Sequence, residues 1–277
     1  MFLALALLLP QDSLEDSLLG LFRSLSEAQR AACLKAADDP NRNAEEFTPG
    51  RRPGLLIREL SAEQLTLLER AIGQFLSEAA LKEAMQVTRQ SHPGEGLKAY
   101  YLNFFGDPTK DKAEWAFRIS EHHLTLVHVE SDPDRFGPIL LGANPPELWR
   151  EQEDAAIECF QKLSETERKR ATSGRKLTGG VSIGELSPES RAAAAAMVEA
   201  RFKLFSEPQQ KKLRTILASQ GGVDKLRLAF FGEMTRRCSD GGRADWKIEG
   251  PGLLCDYESS RGHIHMTLRG TARTLEY

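Results

Sequence analysis

Residues 100–106 read YYLNFFG, and 126 positions later residues 226–232 read LRLAFFG. The same separation relates LSAEQ at residues 60–64 to LSPES at residues 186–190. Two matches at one separation are rare between unrelated segments. The pattern therefore predicts an internal repeat, and the fold has to be interpreted around it.

Each predicted copy, at about residues 60–129 and 186–258, starts with helices and ends with strands. Ser61 and Ser187 precede apolar residues at helical spacing, where a Ser side chain caps the first free N–H groups. Aromatic and alternating apolar segments follow, separated by Gly, Pro and Asp, which is typical of short antiparallel strands. The sequence thus predicts an α+β fold with a duplicated helix-helix-strand-strand-strand unit. We expect a pseudo-twofold arrangement in which antiparallel sheets pair or face each other, with the helices outside.

The composition is that of a globular protein, with 40% hydrophobic and 28% charged residues among 277. We assign residues 12–277 to a single domain, since a chain of this length can bury a sizeable core. The net charge of -3 indicates no strong positive surface, so we do not expect nucleic acid as a partner. The sequence leaves the oligomeric state open.

The first residues, MFLALALLLPQ at 1–11, form an apolar stretch that is too short to cross a bilayer as a helix. They resemble the apolar part of a secretory signal, although no basic residue precedes them and no clear cleavage site follows. We interpret them as a candidate signal segment, which predicts a secreted or periplasmic protein. The alternative is a first helix that packs on the body of a cytoplasmic protein.

Four cysteines are widely spaced and form no CxxC pair, which argues against zinc-ribbon and thioredoxin-type sites. Cys238 and Cys255 flank a predicted strand and can form a disulfide in an oxidising compartment. Buried free thiols are the other interpretation. The cysteines therefore do not decide the compartment.

Histidines provide the sharpest chemical signal, because four of the six lie in two short clusters, His122-His123 and His263-Ile264-His265. On a strand, His263 and His265 point to the same face, so that both imidazoles can reach one ion. His122 and His123 would point to opposite faces, and we expect one of them to complete a set of three nitrogen ligands. Such a set with an open fourth position predicts a zinc or copper site. The alternative is that these imidazoles bind backbone carbonyls or line a solvent-facing strand.

Several polar residues lie close to these histidines in the sequence. Glu121 and Glu258 are candidates for a metal ligand, for a carboxylate that orients an imidazole, or for a catalytic base. Arg118 and Arg269 would suit an anionic ligand if they converge on one cleft. Tyr257 is a candidate groove-lining aromatic, although packing on a sheet is the more common role of such residues.

Four segments occur in order along the chain: EWAFRISEHHLTL (114–126), ILLGANPPEL (139–148), KIEGPGLLCDYE (247–258) and GHIHMTLRG (262–270). Together they resemble the bacterial domain-of-unknown-function family 3500 over roughly residues 52–269. The resemblance implies that the family has similar residues at His122, His123, Asn144, Tyr257, Glu258, His263, His265 and Arg269. It adds Asn144 to the candidate ligand-binding residues, and it implies no particular reaction.

The turn around Asn144 and three departures from the family pattern bear on the site. Gly and Asn tolerate positive φ and two prolines stiffen the chain, so LGANPP at 141–146 predicts a fixed turn. Glu121 and Gly270 stand where the family has Gly and Asp, and SSRG at 259–262 is a shorter loop. If the longer loop shapes a pocket in relatives, the pocket here is more open or missing.

Two functional hypotheses follow. The first is an exported metal-dependent enzyme, with the four histidines as candidate ligands and hydrolytic or oxidative chemistry at a zinc or copper ion. The second is a non-catalytic binding module for a small or peptidic ligand, held between the two repeats. A structural protein without a site remains as a third interpretation.

Overall fold

The computed structural model of the protein describes residues 13–110, 114–130, 132, 134–144, 147–174, 177–231, 234–243, 245–260 and 262–273. The candidate signal segment at residues 1–11 lies outside these residues. Within them the chain forms eight α-helices: α1 (Leu14–Ser24), α2 (Glu27–Cys33), α3 (Ala62–Phe75), α4 (Glu78–Ser91), α5 (Arg150–Lys162), α6 (Glu165–Ala171), α7 (Pro188–Phe202) and α8 (Glu207–Ser219).

Strands in the described residues form one sheet. They are β1 (Leu34–Lys35), β2 (Leu55–Leu56), β3 (Tyr101–Phe105), β4 (Ala116–Glu121), β5 (Leu124–Val129), β6 (Arg135–Ala143), β7 (Val181–Ser182), β8 (Arg227–Phe231), β9 (Asp245–Glu249), β10 (Leu253–Ser260) and β11 (His263–Thr271). The order across the sheet is β1-β3-β4-β5-β6-β11-β10-β9-β8-β7, and β2 also pairs with β3. All pairings are antiparallel except that of β1 with β3.

The predicted α+β class is confirmed, whereas the alternative of two facing sheets is wrong. Strand β6 of the first half pairs with β11 of the second half, from Ile264↔Ala143 to Thr271↔Arg135, and this joins both halves into one sheet. The element order from β2 to β6 is repeated from β7 to β11, with α3 and α4 in one half and α7 and α8 in the other. The duplication itself stays a prediction.

Each half also has two strands that were not part of the predicted unit: a short one before its helices, β2 or β7, and a long one at its end, β6 or β11. In β6, Gly137, Pro138 and Gly142 interrupt the β pattern and resemble turn residues in the sequence. The predicted turn at 141–146 is accordingly wrong at its start, because residues 141–143 belong to β6. Asn144 follows the strand, and residues 145 and 146 lie outside the described residues. The error matters because β6 and β11 are the central pair of the sheet.

The predicted helix starts are confirmed in detail. The Ser61 hydroxyl accepts the backbone N–H of Gln64, and the Gln64 side chain accepts the N–H of Ser61 in return. Ser187 caps α7 through the N–H of Ser190. These serines satisfy N–H groups that would otherwise lack partners, and so they are structural residues.

The two faces of the sheet are covered differently. On β11, Ile264, Met266 and Leu268 are buried in the main core below the helices. His263 and His265 project from the opposite face, since side chains alternate along a strand. We call this the open face. Residues 44–53, the covering segment, cross it and contact both β4, through Arg118, and β11, through Arg269.

Two further observations concern cysteines and membranes. All four thiols are free and buried, so the Cys238–Cys255 disulfide is not formed in this structure. Among the described helices, none has the length and apolar character needed to traverse a bilayer.

Candidate metal centre

The histidines of the first cluster form a hairpin turn. Strand β4 ends at Glu121, β5 begins at Leu124, and His122 and His123 connect them. His123 has φ 73°, in the left-handed region that His adopts more readily than most residues. The prediction that these two imidazoles face opposite sides is wrong, because it assumed a strand and the residues form a turn. Their rings instead stack with centroids 3.6 Å apart.

All four imidazoles of the two clusters come together on the open face. The nitrogens that His122, His123, His263 and His265 can offer to a metal ion lie within 4.8 Å of one another. His123 Nε2 lies 3.0 Å from His263 Nε2, which lies 3.0 Å from His265 Nε2. His265 Nε2 lies 3.2 Å from His122 Nε2. The structure thus assembles four potential ligands, one more than the sequence predicted.

Hydrogen bonds alone cannot account for these contacts. In a neutral imidazole each ring nitrogen either donates one hydrogen or accepts with one lone pair. The Nε2 atoms of His263 and His265 each face two other Nε2 atoms, so the three contacts cannot all be hydrogen bonds. Four lone pairs directed at one cation would satisfy every nitrogen. With metal–nitrogen bonds of about 2.0–2.1 Å, tetrahedral ligands lie about 3.3–3.4 Å apart, close to the three contacts of 3.0–3.2 Å.

A glycine makes room for the rings. Gly142 on β6 is the direct partner of His265 on β11. A Cβ atom at Gly142 would lie 2.6 Å from His123 Cδ2, 2.6 Å from the Ile264 carbonyl and 3.1 Å from His265 Cδ2. The Gly142 carbonyl accepts from Trp149 Nε1 at 2.8 Å, which holds this part of β6 in place.

Other groups orient the turn. Ser91 Oγ lies 3.1 Å from His123 Nδ1, which leaves His123 Nε2 directed at the cluster. The Tyr100 hydroxyl donates to the His122 carbonyl at 2.9 Å. Contacts of this kind fix the orientation of metal-binding imidazoles.

The environment keeps the imidazoles neutral. Burial is the largest cause that lowers the pKa of these imidazoles, and the charges of neighbouring histidines are the next. The pKa falls to about 4 for His122, to about 2 for His123 and to about 3 for His265. Burial also lowers the pKa of His263. Neutral imidazole is the form that binds a metal ion, so the cluster is ready to bind one near pH 7.

These pKa shifts predict a pH dependence for the metal-free protein. Because the four imidazoles have lower pKa values when folded, the unfolded chain binds more protons once the pH falls below about 6.5, the ordinary His value. The stability present above that pH is therefore lost progressively toward the folded values near 4 and 3. Urea unfolding of chelator-treated protein between about pH 7.5 and 4.5 measures the effect.

A His263→Gln, His265→Gln variant serves as the comparison for this pH series. It removes two of the four titrating groups and should show a shallower fall in the free energy of unfolding. Equal slopes in the two proteins would contradict the assignment of the effect to the cluster.

Glu121 is tied to groups outside the cluster. Its buried carboxylate accepts the Gly50 N–H at 2.9 Å and lies 2.8 Å from His92 Nε2. Both oxygens are thus engaged, and Glu121 anchors the covering segment beside His122. His92 was not among the predicted site residues. It lies at the end of α4 and reaches Glu121 through the fold, so no local sequence motif indicates this contact.

The side chains of Glu258 and Tyr257 lie on opposite faces of the sheet. Glu258 is the cross-strand partner of His265, so its side chain lies on the same face, and it is exposed. Tyr257 is fully buried on the helix-covered face, where its ring stacks on Trp246 with centroids 6.0 Å apart. Of these two candidates, only Glu258 is brought to the histidines.

Arg118 and Arg269 bind the covering segment. Arg118 is 1% exposed and donates to the Ala44 carbonyl at 2.9 Å and to Glu46 Oε1 at 2.8 Å. Arg269 Nε donates to Glu45 Oε1 at 3.0 Å. Asn144 is exposed just beyond β6. Both arginines thus bind residues of the covering segment, and the acidic groups that they contact are supplied by the chain itself.

Phe47 completes the cover over the cluster. Its ring makes an edge contact with His265, with centroids 5.4 Å apart, although 44% of the residue is exposed. In the sequence, residues 41–53 (NRNAEEFTPGRRP) are typical of an ordinary loop, because Asn, Pro and Gly are frequent there. Only the fold reveals that this loop crosses the histidines.

Comparison with known proteins places the chain in a family without identifying a reaction. Neither the curated proteins nor the solved structures include a significant match. A family model described as "Protein of unknown function (DUF3500)" matches residues 11–274. That match covers nearly the whole chain and includes both histidine clusters, and the protein therefore belongs to the DUF3500 family.

Proposed function

We propose that this protein binds one divalent transition-metal ion, zinc or copper, through the Nε2 atoms of His122, His123, His263 and His265. The observation that carries the proposal is the set of three Nε2–Nε2 contacts of 3.0–3.2 Å, which neutral imidazoles cannot all satisfy by hydrogen bonding. Imidazole nitrogen suits both metals, and copper(II) binds more tightly than zinc to a given nitrogen site.

Metal-dependent hydrolysis or oxidation is the class of activity that we propose for this centre. A bound zinc ion supplies an acidic water, and a copper ion supplies redox chemistry. Glu258 is the carboxylate best placed to accept a proton, because it lies across from His265 on the same face. Glu121 is placed to position His122 and the covering segment, since its oxygens bind Gly50 and His92.

Metal analysis of protein purified without chelator or metal resin tests the centre. We expect about one equivalent of zinc or copper in the parent and loss of the ion in a His263→Gln, His265→Gln variant, because two ligands disappear. His128→Gln is the matched control: His128 is also a buried histidine, but its Nε2 binds Glu130 Oε2 at 2.7 Å. If the parent binds neither metal after incubation with both, the proposal is wrong.

A closed structural metal site without chemistry is the second candidate, and the number of imidazoles favours it. Four protein nitrogens complete the coordination of tetrahedral zinc, as in closed structural sites, and leave no position for water. Azide added to the copper-loaded protein distinguishes the two candidates. A change in the copper absorption spectrum supports an open, reactive centre, whereas an unchanged spectrum supports a closed one.

A further inference from the structure

A polar cleft lies near the edge of the sheet, where β2 pairs with β3. Its volume is about 540 Å³, and Arg51, Arg52, Leu56, Glu59 and Tyr101 are among the residues that line it. Arg51 and Arg52 come from the end of the covering segment. Leu56 and Tyr101 are direct partners on β2 and β3, so their side chains form one wall.

Both walls of this cleft are attached to β4 next to His122. On one side, the Gly50 N–H donates to Glu121 Oε1 at 2.9 Å, and Arg51 and Arg52 follow directly. On the other side, Tyr101 is the strand partner of Ser120. Glu121 and Ser120 immediately precede His122 in the chain, so the residues that hold both walls adjoin the proposed metal centre along β4. The Arg52 charge is also one of the causes that lower the pKa of His122.

Two arginines and one carboxylate, Glu59, line the cleft, so positive charge is in excess among its lining residues. Arg52 Nη1 lies 3.0 Å from Glu46 Oε2, and the other oxygen of Glu46 binds the buried Arg118. One carboxylate therefore forms ion pairs with two guanidinium groups. Arg51 is exposed, and no ion pair for it occurs among the described residues. Guanidinium groups bind carboxylates through paired hydrogen bonds.

We propose that this cleft binds the carboxylate of a small organic acid through Arg51, with the apolar part of the ligand against Leu56 and Tyr101. Arg52 adds positive charge beside this carboxylate, while its own Nη atoms are bound within the covering segment. This inference rests on the proposed function, because the acid bound in the cleft is the ligand that the cleft presents to the proposed metal centre. The apolar wall is the reason to favour an organic carboxylate over inorganic phosphate.

Benzoate and benzamide form a matched pair of probes, because they have nearly the same shape and differ in charge. Titration calorimetry on the full-length protein should show binding of benzoate at least about tenfold tighter than binding of benzamide. Arg51→Gln should weaken benzoate binding about tenfold and leave the metal content unchanged. Arg58→Gln is the control, since Arg58 is exposed and paired with Glu95 at 3.2 Å outside the cleft lining.

The outcomes separate the cleft from the metal centre. Equal affinity for both probes, or equal effects of Arg51→Gln and Arg58→Gln, would overturn the cleft as a carboxylate site even in protein that contains the ion. Arg51-dependent benzoate binding in protein that takes up no metal would support the cleft and refute the metal centre. Inorganic phosphate that binds as tightly as benzoate would overturn the preference for an organic acid.

Discussion

A Gly142→Ala variant should lose the metal ion and fold less stably than the parent. The added methyl group would lie 2.6 Å from the Ile264 carbonyl, which belongs to the central strand β11 and cannot move freely. It would also lie 2.6 Å from His123 Cδ2 and 3.1 Å from His265 Cδ2. Both rings must shift, whereas metal–ligand distances tolerate only about 0.2 Å.

We therefore expect metal affinity to fall by at least about 100-fold, at the upper end of the effects known for residues that support metal ligands. Overpacking should also lower the free energy of unfolding by about 1–3 kcal/mol. Metal titration and urea unfolding measure the two effects. Gly270→Ala is the matched control, because Gly270 lies on β11 and its added methyl group would meet only ordinary contacts, the nearest at 3.4 Å. Normal metal affinity in Gly142→Ala would refute this arrangement of the rings.

Glu46→Gln should be the most destabilising single change in the covering segment. Arg118 is 1% exposed, and Glu46 is its carboxylate partner at 2.8 Å. The amide of Gln keeps the shape but removes the negative charge, which takes away the carboxylate that contacts the buried guanidinium group. Breaking a buried ion pair in this way costs about 3–5 kcal/mol. Urea unfolding measures the loss.

The neighbouring residue is the control for this prediction. Glu45 pairs with Arg269, whose side chain is 43% exposed, so Glu45→Gln should cost about 1 kcal/mol or less. A second measurement connects the effect to the site: the covering segment places Phe47 against His265, so Glu46→Gln should also speed metal release to a chelator. If Glu45→Gln and Glu46→Gln destabilise equally, Arg118 does not depend on Glu46 as the contacts indicate.

The two histidine clusters were recognisable in the sequence, while their geometry was only partly predictable. His263 and His265 occupy alternate positions of a strand, and the sequence predicted their shared face correctly. His122 and His123 form a turn, which local patterns did not distinguish from a strand. The contact between His92 and Glu121 also escaped prediction, because it joins a helix end to a strand end 29 residues away.

By itself, the sequence determined the α+β class, the starts of the capped helices, several of the strands and the identity of the clustered histidines. These features depend on interactions between residues close together in the chain, so periodicity and capping patterns report them directly. Only the tertiary structure decided that β6 pairs with β11, and in which register. That register puts Gly142 beside His265 and brings His123 to His263 across 140 positions. Pairing between distant strands depends on how the whole sheet assembles, and no local pattern encodes it.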